Sequence, residues 1–217
     1  MQAKKQKKPE RSLAAKPLNR PLFANSDELM RYARSFLSTQ LMNLKSYADR
    51  AIDTRKPADA PAFPILLYSL SVIDFLGALY AGNASNNADY SAQSKDYIVS
   101  VMGWDDEKAK ILRALFRNKL AHLAAPAPVI QFEGKRVSWQ LTLSGLNHFQ
   151  LYKLDTPESY PLFGTHRLGF DYKFVVSISV LYWDIADSVQ KYLGLLEKSP
   201  DLQHKFATAI GHVFGLI

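Results

Sequence analysis

From Leu29 onward, Ala33, Phe36, Leu37, Leu41, Leu44 and Ala48 return at three- and four-residue steps, the period of one face of a helix. Asn25 and Ser26 are both good caps, and Glu28, three residues after Asn25, completes a capping-box pattern. This predicts a long amphipathic helix that ends near Asp53, ahead of Pro57. Residues 62–82 are apolar almost throughout and predict a helix buried on every side. By length that stretch could just span a bilayer. Asp74 near its centre would then cost roughly 2.5–3.5 kcal/mol, and Pro64, Ser69 and Ser71 weaken the membrane case further. The expectation is a core helix and no membrane partner.

Residues 82–91 read as a loop, followed by a short helix over 94–102. Asp105 caps a further helix, with Asp106 and Glu107 in its first turn and Ile111, Leu112, Leu115, Phe116, Leu120 and Leu123 on its apolar face. That helix must stop before Pro126. The period then changes. Residues 129–132 and 137–143 alternate like strands around Glu133-Gly134-Lys135, and a third extended piece covers 148–153. A long helix is expected over 171–197, with Phe174, Ile178, Leu181, Ile185 and Val189 on its buried stripe, and Ser199-Pro200-Asp201 starts a last one. The pattern predicts an all-α helical bundle carrying a small inserted antiparallel β-meander at 126–155, in a single domain over 25–217.

Composition narrows the chemistry. Hydrophobic residues are 47% of the 217 and aromatics 12%, enough for a packed core. The chain has no cysteine, which removes disulfides, thiol catalysis and cysteine-ligated metals. The formal charge of +7 is concentrated at one end: residues 1–20 hold seven basic groups and a single acid, Glu10. Residues 1–24 therefore read as a basic disordered tail, able to attract RNA phosphates in a salt-sensitive way or to act as a solubilising arm. No apolar stretch follows the basic residues directly, so no secretory signal is read and a cytoplasmic location is expected.

Several chemistries lack their parts. No phosphate-cradling glycine loop and no nucleophile elbow are present, and the five histidines show no H-x-H or H-x-x-x-H spacing. The expectation is no cofactor and no metal. What remains is Arg117-Asn118-Lys119-Leu120-Ala121-His122. Arginine ahead of histidine at this spacing arises by chance in a chain of this composition. Its context says more: Arg113, Arg117, Asn118 and His122 crowd the second half of one helix, with no carboxylate on that helix placed to pair with Arg117 or His122. Attraction of cations to a helix C-terminus is the bland explanation. Trp104 and Trp139 would stack on a base if exposed.

Two segments together resemble the HEPN superfamily (higher eukaryotes and prokaryotes nucleotide-binding domains). Residues 115–122 are similar to its signature of arginine, a polar residue and then histidine, and the buried helix around 71–80 looks like the one that precedes that signature in many bacterial members. The resemblance covers about 27–123 and, more loosely, the long helix after Asp171. It implies an all-α fold, a homodimer and, in active members, a metal-independent endoribonuclease found as a toxin or defence component, with catalytically silent relatives. Carried over, Arg117 and His122 are the catalytic pair and Asn118 the supporting polar residue, with Arg113 and Asp74 as further supporting candidates. RNA is the implied partner, and an antitoxin or nucleotidyltransferase-like partner would be a separate chain.

The side chains suit that reaction. Attack of a 2′-hydroxyl on the adjacent phosphate needs proton transfer, which histidine supplies, and stabilisation of added negative charge, which arginine supplies bidentately. On an ideal helix Arg117 and His122 would lie about 140° apart. Either the helix unwinds before Pro126, or a second chain completes the site; the latter makes homodimerisation part of the mechanism. Asp74 has two readings: a core carboxylate satisfied by a serine or a backbone donor, or a group that reaches the motif helix to orient Arg117 or His122. The competing functions are a non-catalytic RNA-binding or protein-interaction subunit, and a bundle whose basic cluster is structural.

Overall fold

The computed structural model describes residues 21–53, 62–117, 127–143, 145, 148–162 and 164–216. The first long helix, α1, is Ser26–Asp53. It opens as the capping pattern predicts: the Glu28 N–H donates to Asn25 Oδ1 at 2.9 Å, and the Glu28 carboxylate accepts from the Ala24 N–H at 2.7 Å. Helix α2, Ala62–Ala81, is the apolar one, and Leu66, Leu70, Ile73, Leu76 and Leu79 are buried along it. It is the one helix among the described residues long and apolar enough to cross a membrane, and most of it is buried inside the fold. Its neighbours are α1, α3 and the last two helices.

Helix α3, Tyr90–Tyr97, is capped by Asp89 and runs into a π-helical turn, Ile98–Met102, that ends at left-handed Gly103 (φ 78°). Helix α4, Asp106–Leu112, is capped by Asp105, whose carboxylate accepts from the Lys108 N–H at 2.8 Å, and it too passes into a π-helical turn, Arg113–Arg117. Helices α5, Ile178–Lys198, and α6, Pro200–Val213, complete the helical layer, with Ser199 capping α6 ahead of Pro200 as its residues predict.

The expectation of an all-α bundle with a small antiparallel meander is corrected by the sheet. Strands β1 (Ile130–Phe132), β2 (Lys135–Thr142), β3 (Gln150–Pro161) and β4 (Arg167–Ser177) form one mixed sheet in the order β1-β2-β4-β3. Strand β4 lies between β3, to which it is antiparallel, and β2, to which it is parallel with Trp139 opposite Phe174 and Thr142 opposite Ser177. The third extended piece is thus longer than expected and pairs with β4 rather than β2. The start of the long helix expected at 171 is strand as far as Ser177.

The cause lies in the apolar run Phe174-Val175-Val176, which is buried on both faces of the sheet and so shows no alternation. Such a run fits a helical stripe and an interior strand equally, and its β-branched valines favour the strand.

Candidate functional site

Three helices meet at one buried polar point. Asp74 comes from the middle of α2, Ser94 from α3 and Arg113 from the first position of the π turn after α4. The Arg113 guanidinium donates to Asp74 Oδ1 at 3.1 Å and to Ser94 Oγ, and all three side chains are buried. Ser94 can come this near because residue 77 is glycine: a Cβ there would lie 2.7 Å from the Ser94 backbone. A buried charge without its partner is expensive, so Asp74 and Arg113 hold α2 and α4 together as a unit.

Asp74 is thus a core carboxylate held by Arg113, while Arg117 and His122, which its sharper reading would have it orient, are not among the side chains described. That partner also revises the picture of an unpaired cationic cluster. Arg113 is committed to Asp74, and so it acts as an anchor of the helix, not as a phosphate-binding group. The side chain of Arg117, and Asn118 and His122 entirely, lie outside the described residues; the backbone of Arg117 ends the π turn.

Ahead of the motif segment the helix loosens. Its hydrogen bonds span five residues instead of four, so positions 113–117 wind more slowly than the 100° per residue of an ideal α-helix. Leu115 and Phe116 of the turn are fully buried, which fixes its rotation against the core.

Past the motif, the chain is brought back to where it left. The Ala127 N–H donates to the Leu115 carbonyl at 3.0 Å, so the two ends of segment 118–126 are joined. Strand β2 holds that junction from the other side: Trp139 Nε1 donates to the Ala127 carbonyl at 3.0 Å and Ser138 Oγ to the Pro128 carbonyl at 2.9 Å. The Trp139 ring packs on Phe116 and Phe63, with centroids 5.9 and 5.4 Å away. Trp139 is thus a clamp and no base platform. Trp104 is likewise packed, against Phe149 and His148.

Two further features were candidates for chemistry. A cleft of about 370 Å³ beside the anchor is lined by Lys95, Lys110, Arg113 and Asp89. Both lysines are paired to Asp106, at 3.4 and 2.5 Å, and Lys110 above all holds that carboxyl below its usual range against the opposing effect of burial. The cleft is close to neutral and offers no pull on an anion.

His148 sits between the sheet and α5. Its Nδ1 accepts from the Ser177 N–H at 2.9 Å. Asp184 Oδ2 is 3.4 Å from Nε2, near enough to attract it but not aligned for a hydrogen bond. Among the described residues, no group of three or more metal-ligating side chains comes together.

Comparison with family models, with curated proteins and with solved structures finds no match to this chain.

Sequence reasoning missed Ser94 and Gly77. The signal for both was the glycine itself: in the interior of an apolar helix it marks a place where another backbone comes close.

Proposed function

We propose that this protein is a metal-independent endoribonuclease of HEPN type, acting in the cytoplasm as a homodimer, with Arg117 and His122 as its catalytic pair and Asn118 in support. The observation that carries the reading is the construction around the motif segment. The helix leading into it is bolted to the core by the buried Asp74–Arg113–Ser94 network, its last turn is π-helical, and the segment's exit is tied back to Leu115 and gripped by β2. π turns recur at functional sites because they re-aim side chains, and reactive groups need support of this rigidity. The histidine takes the proton from the 2′-hydroxyl or delivers one to the leaving 5′-oxygen, and the guanidinium carries the charge that builds on the phosphate.

The proposed reaction forms a bond from the 2′-oxygen to phosphorus and breaks the bond to the 5′-oxygen. It yields a 2′,3′-cyclic phosphate and a 5′-hydroxyl, and no metal takes part. A labelled RNA incubated in excess EDTA should give these two ends, and a single 2′-deoxy nucleotide at the cut should abolish cleavage there. Cleavage that persists with the 2′-deoxy nucleotide, or that leaves a 5′-phosphate, would contradict the mechanism. A role as a toxin or defence component, with a separate antitoxin chain, belongs to the same proposal.

A further inference from the structure

We propose that residues 13–18 of this chain, Leu13-Ala14-Ala15-Lys16-Pro17-Leu18, dock in the cleft between the start of α1 and the last helix, α6, and so tie the basic N-terminus to the body.

The first observation is the cleft itself. Its volume is about 520 Å³ and its walls are mainly apolar, with Leu22, Phe23, Leu29 and Leu216 among them. On α6 it follows Gln203, Ala207 and Gly211, which recur at steps of four residues. Ala207 and Gly211 carry little or no side chain, and that leaves a trough along the helix. The helix axis from Gln203 to Gly211 is roughly 12 Å long. About four residues of extended chain cover that length.

The second observation is where the chain comes from. Residues 1–20 lie outside the described residues, and Pro21, the first of those described, is itself part of the cleft wall. From there the chain crosses into the core: the Phe23 ring lies 5.3 Å from that of Tyr32 on α1 and 6.4 Å from that of Phe206 on α6. The covalent link therefore delivers residue 20 to the cleft, and Leu18 follows close behind it. A segment tethered this closely binds as though at about millimolar concentration, an advantage that no separate ligand of the same chemistry shares. Asn19 and Pro21 suit the reversal that turns the chain back into the trough.

The third is composition. The cations of residues 1–20 are not spread evenly: Lys4, Lys5, Lys7, Lys8 and Arg11 precede Ser12, whereas Leu13, Ala14, Ala15 and Leu18 follow it. A purely solubilising arm has no use for that apolar cluster. Leu13 and Leu18 are the side chains for the trough, and Pro17 biases Lys16 towards an extended backbone. Charge agrees. Lys16 and Arg20 flank Leu18, with no acid between Ser12 and Pro21. Ser26 and Pro200 line the cleft, and beside them in sequence stand exposed acids, Asp27 and Glu28 on α1 and Asp201 on α6. Docked in this way, the segment fixes the origin of the arm that carries the cations from Lys4 to Arg11.

The chain has no cysteine, so a nitroxide can be attached to the full-length protein at Ser12→Cys alone and its mobility read by electron paramagnetic resonance. A broad, immobilised spectrum is expected. The correlation time should fall several-fold when Leu13→Asp and Leu18→Asp are added, and equally when Thr208→Trp fills the trough instead. Thr208 lines the cleft and is only half-buried, so circular dichroism should report an unchanged fold. Should that tryptophan disturb the helix, His204→Trp at the exposed rim makes the same test. A sharp spectrum from the otherwise wild-type chain overturns the proposal and leaves the cleft to a separate apolar ligand. So does an immobilised label that ignores both tryptophans, which would mean that the segment rests elsewhere. No RNA enters the measurement, so its outcome is independent of the nuclease reading.

Discussion

Arg113 and Asp74 carry the largest electrostatic stake of any described pair, because both are buried and their opposite charges stand 3.1 Å apart. Removing Asp74 alone leaves the buried Arg113 guanidinium without this carboxylate, at a cost of about 3–5 kcal/mol, whereas replacing both with apolar residues of similar size is often nearly neutral. Asp74→Leu should therefore lower the urea midpoint sharply, and adding Arg113→Met should recover most of the loss. Equal and additive losses would mean that the pair does not hold α2 to α4. Trp139→Phe keeps most of the ring packing on Phe116 but deletes the indole donor to Ala127, and should cost about 1 kcal/mol in the same assay. In a nuclease assay it should lower turnover more than it lowers stability, since the lost bond sits at the exit of the motif.

At the scale of elements, the close crossing of α2 and α3 at Gly77 is the most exposed to test. An exposed helical Gly→Ala substitution normally gains about 1 kcal/mol. Here the new Cβ would meet the Ser94 backbone at 2.7 Å, and overpacking of that kind costs about 1–3 kcal/mol. Gly77→Ala should thus lower the melting temperature by several degrees; a rise would show that the helices can part freely. The elements that were legible in the sequence are those that signal themselves locally. Asn25, Asp105 and Ser199 mark helix starts by their side-chain chemistry, and the apolar run with Asp74 marks the central helix. What was not legible is tertiary in origin. The parallel β2–β4 pairing joins residues with no local relation, and Phe174-Val175-Val176 carries no period to separate strand from helix. Of the site, Asp74 could be singled out as a carboxylate in an apolar helix, but its bond to Arg113 could not be read: Arg113 is 39 residues away, and only the packing of three helices brings both Asp74 and Ser94 to it.

For the whole molecule, acid stability follows from the carboxylates that the fold pairs. Arg136 holds Asp171 below the ordinary value of 3.8, and Lys110 does the same for Asp106. A carboxyl with a depressed pKa in the folded state contributes stability that is fully present above the ordinary value and is lost as the pH falls through the folded one. The urea midpoint should accordingly change little between about pH 7 and 5 and drop below about pH 4. Arg136→Gln should make that drop shallower. In the proposed reaction Arg117 and His122, at and beyond the end of the π turn, cut RNA without a metal. Its most direct test is purified wild-type protein beside Arg117→Ala and His122→Ala, each incubated with total RNA in excess EDTA. Cleavage is expected from the wild type and from neither variant, with all three equally folded. Cleavage that survives both substitutions, or an inert wild type, would contradict it.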